Sequence, residues 1–130
     1  MRRLLIAVAL LAACRGGSRA PDIGARPHAS AYEMRIGQQT FQAYCAGCHG
    51  ETGQGDGFNS STLDPHPRDL SDPAFQKSKT DSDLADTIRR GGSGVGLSSL
   101  MPPWGHTLDQ RHVDAVVLYV RSLRKGTTIK

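Results

Sequence analysis

Two thiols with an imidazole directly after the second, Cys45-Ala46-Gly47-Cys48-His49, constrain this chain more than any other stretch in it. In the order C-x-x-C-H the two sulfurs can add to the two vinyl groups of a haem while the histidine reaches the iron, so the run reads as a c-type haem attachment signature. Two other chemistries use closely spaced cysteines. A redox dithiol follows a strand and opens a helix in a βαβ setting, and this chain carries almost no strand signal. A structural zinc takes four ligands, and the only further cysteine, Cys14, lies in a segment with a different reading.

That segment is the N-terminus. Met1-Arg2-Arg3 is a short positive stretch, Leu4 to Leu11 is apolar, and Leu11-Ala12-Ala13 brings small residues up to Cys14. An apolar run this short reads as an export signal rather than a permanent span. The ending LAAC resembles the lipobox of bacterial lipoproteins, in which the cysteine is acylated and becomes the mature N-terminus; an ordinary secretory cleavage site with Cys14 incidental is the alternative. Residues 1–13 are thus expected to be a signal peptide, 14–31 a flexible tether with lipidated Cys14, and 32–130 the folded domain. Export agrees with the haem motif, because attachment of this kind in bacteria resembles a process on the outer side of the cytoplasmic membrane.

The formal net charge of +4 does not describe the domain. Arg2, Arg3, Arg15, Arg19 and Arg26 precede it, whereas from Tyr32 onward eleven Lys and Arg meet eleven Asp and Glu. Nucleic-acid binding calls for a basic face within the fold and is not expected. The Gly, Pro, Ser and Arg of the tether have linker composition. As a coil its eighteen residues span roughly 25 Å root-mean-square, and its arginines favour anionic lipid head groups.

Within the domain three helices are legible. Ser30 and Glu33 form a capping-box pattern that opens a helix over about Ala31 to Tyr44, with Gly37, Thr40, Phe41 and Tyr44 on one face. A second helix is expected from Asp81 to Arg90, capped by Asp or Ser, acidic in its first turn, basic in its last and stopped by Gly91. The last opens at Thr107-Leu108-Asp109-Gln110, runs to about Arg124 ahead of Gly126, and buries Val113, Val116, Val117, Val120 and Leu123 with Tyr119 at the edge. Residues 50–80 show no sustained period, and AFQKSK is too short to assign. So long a loop suits a domain in which a cofactor supplies the surface it wraps.

An iron held by one histidine needs a second axial group or an open site. Met1 is in the signal, and Met34, on the first helix, reads as a packing residue. Met101 lies 52 residues beyond His49 in the loop Met101-Pro102-Pro103-Trp104-Gly105. The prolines there fix the backbone and would hold a thioether sulfur rigidly; a loop methionine packed as a plug is the alternative. His66, His106 and His112 are possible substitute ligands, the last two more in keeping with surface positions. Arg68 and Trp104 are candidates for hydrogen bonds to haem propionates.

Taken together, the helix with Gly37 and Phe41, the runs CHGETGQGDG and PRDLSDPAF, the loop MPPWG and the last helix with Tyr119 resemble the class I monohaem c-type cytochromes, in their bacterial lipoprotein form. They look closest to the cytochrome domains found beside terminal oxidases and periplasmic dehydrogenases. The resemblance implies an all-α cytochrome c fold of three main helices with long loops wrapped around one covalently attached haem c. It also implies Cys45 and Cys48 as thioether links, His49 and Met101 as the proximal and distal iron ligands, and a crossing of the first and last helices where Gly37 meets the Val116 to Tyr119 turn. The lysine ring that mitochondrial relatives use for docking is missing, which puts that style of recognition in doubt.

A histidine and methionine pair leaves the iron no open site, so the expected function is one-electron transfer by a membrane-anchored monomer and not an enzymatic reaction. The expected partners are a terminal oxidase, a dehydrogenase or a bc-type complex, and the place is the periplasmic side of the inner or outer membrane. A haem-based redox or gas sensor, or the haem subunit of a larger periplasmic oxidoreductase, is the alternative. A peroxidase or nitrite-reducing domain would need a displaceable site and usually a second haem, and the chain has a single C-x-x-C-H.

Overall fold

The structure is a computed structural model that describes residues 30–125; the signal, Cys14 and the rest of the tether up to Ala29 lie outside the described residues, as does Gly126. Among the described residues there are five α-helices and no strand: α1 (Ala31–Tyr44), α2 (Ala46–His49), α3 (Pro73–Ser78), α4 (Asp81–Arg90) and α5 (Gln110–Ser122). Short 3₁₀ turns at Ser60–Thr62 and Ser93–Val95 punctuate the loops. The fold is the expected all-α one, and no described helix is long and apolar enough to cross a membrane.

Helix α1 begins where its capping box says it should. The Ser30 hydroxyl accepts from the Glu33 amide at 3.2 Å, and the Glu33 carboxylate accepts from the Ser30 amide at 3.1 Å, so two of the amides stranded at a helix start are paired. Gly37, Thr40 and Phe41 are buried. Gly37 is where α5 crosses: a Cβ at this position would overlap the carbonyl oxygen of Ala115 and press on the Tyr119 Cβ. The crossing therefore falls at Ala115–Tyr119, one residue earlier than expected. Tyr44, expected on the buried face, is 43% exposed, and its ring lies against Trp104 instead.

The core forms where α1, α4 and α5 meet. Phe41, Leu84, Ala85, Ile88, Leu108, Val113, Val116, Val117 and Val120 make one buried cluster, and the Phe41 and Tyr119 rings tilt together with centroids 5.3 Å apart. Leu123 is only partly buried against this cluster.

Three local expectations change. Thr80, not Asp81 or Ser82, caps α4, in a reciprocal box with Asp83, since the Asp81 carboxylate is turned inward to Arg121 at 2.7 Å. Helix α5 starts at Gln110 behind an Asp109 cap; the Thr107 and Leu108 amides both bond the Trp104 carbonyl, which makes that stretch a turn leaving the loop. At its far end α5 stops at Ser122. Finally, the unassigned AFQKSK belongs to α3, with Asp72 accepting from the Ala74 and Phe75 amides and Pro73 in the first turn, where its missing N–H costs nothing.

One polar cluster ties the short helices to α5. The Arg121 Nε donates to Asp81 Oδ1, its Nη1 to the Gln76 carbonyl and Oε1, and its Nη2 to the Lys79 carbonyl. Gln76 in turn donates to the carbonyls of Leu70 and Val120. A guanidinium forked this way aligns α3, α4 and α5 with directional bonds and so fixes the path of the loop that precedes α3.

Candidate functional site

The C-x-x-C-H run sits at a corner. The Cys45 amide bonds the Phe41 carbonyl at 2.8 Å and closes α1, and the Cys48 and His49 amides return to the Cys45 carbonyl to make α2. A helix this short leaves its carbonyls without intrahelical partners, and the following glycine-rich loop supplies them. Gly55 donates to the His49 carbonyl, Gly57 to that of Cys48 and Asn59 to that of Gly47. The approach is so close that a Cβ on Gly57 would overlap the backbone of Ala46, Gly47 and Cys48, which is the physical reason a glycine stands there.

Both thiols are free and half-buried. Burial, with a smaller contribution from the neighbouring Cys48 sulfur, pushes the Cys45 thiol up to about 12. A redox-active dithiol depends on a depressed thiol pKa, so Cys45 has the opposite character. Nor do Cys45, Cys48 and His49 converge as a zinc shell; among the described residues no three His, Cys, Asp or Glu side chains gather as a metal site.

His49 is half-buried, and its Nδ1 lies 3.1 Å from the Arg68 carbonyl oxygen. A carbonyl can only accept, so the proton is on Nδ1 and the Nε2 lone pair is left for a metal. Burial lowers the imidazole pKa, with the Arg68 bond acting in the other direction, and the net shift keeps the ring neutral, the form that binds metals.

Met101 lies in a loop stitched to the end of α4 by its backbone: Gly92 donates to the Met101 carbonyl at 2.9 Å, Trp104 to that of Ile88 at 2.9 Å and Gly105 to that of Arg89 at 3.0 Å. Met101, Trp104 and Cys45 all pack against the same core cluster. The Tyr44 and Trp104 rings, 5.2 Å between centroids, join the residue before Cys45 to the methionine loop. The structure thus brings the C-x-x-C-H corner and the Met101 loop to one region, with Leu97 and Leu100 exposed on that loop.

The remaining candidates are placed as follows. The Arg68 guanidinium lies over the Phe75 ring at 5.7 Å, and the part of Arg68 that meets the site is its backbone carbonyl. His66 and His106 are exposed. His112 bonds Asp109 through Nδ1 at 2.7 Å, and that contact, with the His112 amide foremost, holds the Asp109 carboxyl below its usual range. Met34 is half-buried on α1.

These residues fit a haem. They offer a neutral imidazole of fixed tautomer, two free thiols beside it and a thioether on a neighbouring loop, with apolar side chains left uncovered on that loop. An all-helical frame with this corner and this loop is the build of a c-type cytochrome domain.

The chain belongs to the family described as cytochrome c oxidase, cbb3-type, subunit III, whose profile matches residues 33–120. It is 31% identical over 100 residues to the cbb3-type cytochrome c oxidase subunit FixP of Bradyrhizobium diazoefficiens, a match covering 77% of this chain and 31% of FixP. Over 95 residues it is 30% identical to cytochrome c6 of Tetradesmus obliquus, with 72% of this chain and 94% of that protein covered. The chain thus spans about a third of the FixP proteins and nearly the whole of cytochrome c6. Among solved structures, a chain of the Kuenenia stuttgartiensis reducing HAO-like protein complex Kustc0457/Kustc0458 superposes with a TM-score of 0.58 at 30% identity, over 69% of this chain and 42% of that one. The chain is therefore a cytochrome c domain, and its family implies haem c.

Proposed function

We propose that this protein carries single electrons through one covalently bound haem c whose iron is held by His49 and Met101, with Cys45 and Cys48 as the thioether links. The observation that supports the reading is the 3.1 Å bond from His49 Nδ1 to the Arg68 carbonyl, which leaves the Nε2 lone pair available to a metal in a corner that also presents both thiols. When bound, the haem supplies a one-electron couple. The chain's own part is to fix the donors: α1 and the glycine-rich loop hold the imidazole, and the bonds to the end of α4 hold the Met101 loop. Held by His49 and Met101, the iron would keep the same protein ligands in both oxidation states, so reorganisation would be small, and the soft Met101 sulfur would raise the potential.

Absorption spectroscopy tests the ligand set. The ferric protein is expected to be low-spin and to show the weak far-red charge-transfer band of methionine sulfur on iron. Met101→Ala should abolish that band and open the ferrous form to carbon monoxide. A low-spin spectrum that survives Met101→Ala unchanged would instead identify a second histidine as the ligand, and rapid carbon monoxide binding by the unmutated protein would favour a sensor.

The name of the curated relative FixP, a cbb3-type oxidase subunit, and that of the reducing HAO-like complex support an exchange of electrons with a terminal oxidase or another haem oxidoreductase, on the periplasmic side. The anchor is Cys14, acylated after removal of residues 1–13, with residues 14–31 as tether to a monomeric domain over 32–130. Several acyl chains give a lasting hold where one gives a marginal one, and Arg15 in place of an aspartate favours the outer membrane. Mass spectrometry of the mature N-terminus should find Cys14 first and carrying acyl chains; an unmodified Cys14 would sink the anchored form.

A further inference from the structure

The His49 ring is held by a backbone carbonyl, so whatever holds that carbonyl acts on the ring. Arg68 belongs to a stretch in which each residue is tied separately. The Arg68 guanidinium rests on Phe75. The Leu70 amide donates to the Gly53 carbonyl at 2.7 Å, and the Leu70 carbonyl accepts from Gln76 at 2.6 Å. Between them, Asp69 makes a tight turn: its Oδ1 accepts from the Ser71 amide at 2.8 Å and the Ser71 hydroxyl at 2.6 Å. The other oxygen, Oδ2, accepts from the Lys125 ammonium at 3.1 Å, while the Lys125 amide donates to the Ser71 carbonyl at 3.0 Å. Lys125, 56 residues away in sequence, thus grips the turn that follows Arg68 from two sides.

We infer that Asp69 and Lys125 are positioning residues for the axial imidazole: their ion pair holds the Asp69–Ser71 turn so that the Arg68 carbonyl stays aimed at His49 Nδ1, and through that bond they set the iron's reduction potential. The inference rests on the proposed His49 ligation. Its physical basis is that a carbonyl accepting from Nδ1–H makes the imidazole a stronger donor, and a stronger donor favours the ferric state. Loosening the turn weakens the bond and should raise the potential.

This mechanism separates from a plain charge effect by sign. Removing a nearby cation favours the ferric state and lowers the potential, whereas removing a nearby anion raises it. Positioning predicts an upward shift for both Lys125→Met and Asp69→Ala. A half-exposed ion pair contributes little to stability and the main-chain bond from Lys125 to Ser71 survives either change, so Lys125→Met, which carries the test of sign, keeps the fold; Asp69→Ala gives up the two bonds to Ser71 as well, a loss confined to one turn. The potentials of the haem-loaded parent, Lys125→Met, Lys125→Arg and Asp69→Ala are measured by spectroelectrochemistry, together with exchange of the His49 Nδ1 proton by NMR. Upward shifts in Lys125→Met and Asp69→Ala with faster proton exchange, and recovery of both readouts in Lys125→Arg, are expected. Shifts of opposite sign, or unchanged potential and exchange beside an intact histidine and methionine spectrum, would overturn the inference alone. A parent without a low-spin haem spectrum would overturn the ligand assignment and this inference with it.

Discussion

Replacing both thiols, in Cys45→Ala with Cys48→Ala, is expected to leave a chain without most of its helical circular dichroism and without a cooperative thermal transition. From Tyr32 onward only 19 of 99 residues are Leu, Ile, Val or Phe, and among the described residues the largest fully buried side chains are Phe41 and three valines, Val113, Val116 and Val117. Ordering a backbone costs about 1–2 kcal/mol per residue, and one small core leaves little surplus over that. The long stretch from Gly50 to Thr80 contributes little apolar burial of its own, and the two partly exposed leucines on the methionine loop contribute less than their size allows. The covalently held haem of the proposed function would supply the missing apolar surface, and it could not dissociate when the chain frays. Without the proposed thioether links, a haem held by axial side chains alone would stabilise the fold only as far as its concentration exceeds its dissociation constant. Native-like helical ellipticity in the double variant, measured without added haem, would show that the protein core suffices and would refute this account.

The features legible in the sequence were those encoded locally. A capping box lies within four residues, so the start of α1 could be read from Ser30 and Glu33. The stripe on α5 repeats often enough for its period to emerge, and the C-x-x-C-H run declares its chemistry through spacing alone. Where the outcome depended on distant partners, the letters were silent. Asp81 stood as a good cap until Arg121, forty positions on, took its carboxylate and left the cap to Thr80. The start of α5 was expected at Thr107, and the loop moves it on, because the Trp104 carbonyl claims the Thr107 and Leu108 amides and leaves the cap to Asp109. Helix α3 has six residues, fewer than two turns, so no period could show; the Asp72-Pro73 start was the only sign of it. The contribution of Arg68 was the least accessible. Attention falls on its guanidinium as a possible propionate contact, yet the atom that touches His49 is a carbonyl oxygen, which every residue possesses and no sequence pattern marks.

Gly37→Val is expected to cost about 3–5 kcal/mol, well above the usual price of an extra side chain in a core. Most overpacking is relieved by rotating a neighbouring side chain, but here the obstacle is backbone: the Cβ would coincide with the Ala115 carbonyl oxygen, and the nearest side-chain atom is the Tyr119 Cβ, which moves only with its own main chain. Relief requires α1 and α5 to separate. Separation would uncover Phe41 and part Phe41 from Tyr119, and it would carry away the Cys45 end of α1 from the core on which Met101 and Trp104 also pack. At about 4–8 °C per kcal/mol for a domain of this size, the melting temperature should fall by roughly 12 °C or more. Gln38, the next residue, is exposed, and Gln38→Val should cost only about 0.5 kcal/mol through helix propensity. That pair isolates the crossing from the general effect of a β-branched residue in α1. Haem-loaded Gly37→Val should also lose its methionine charge-transfer band at a lower temperature than the one at which its helices melt, since the helix separation loosens the support of the Met101 loop first. Equal melting temperatures for Gly37→Val and Gln38→Val would mean that α1 and α5 do not meet at this glycine.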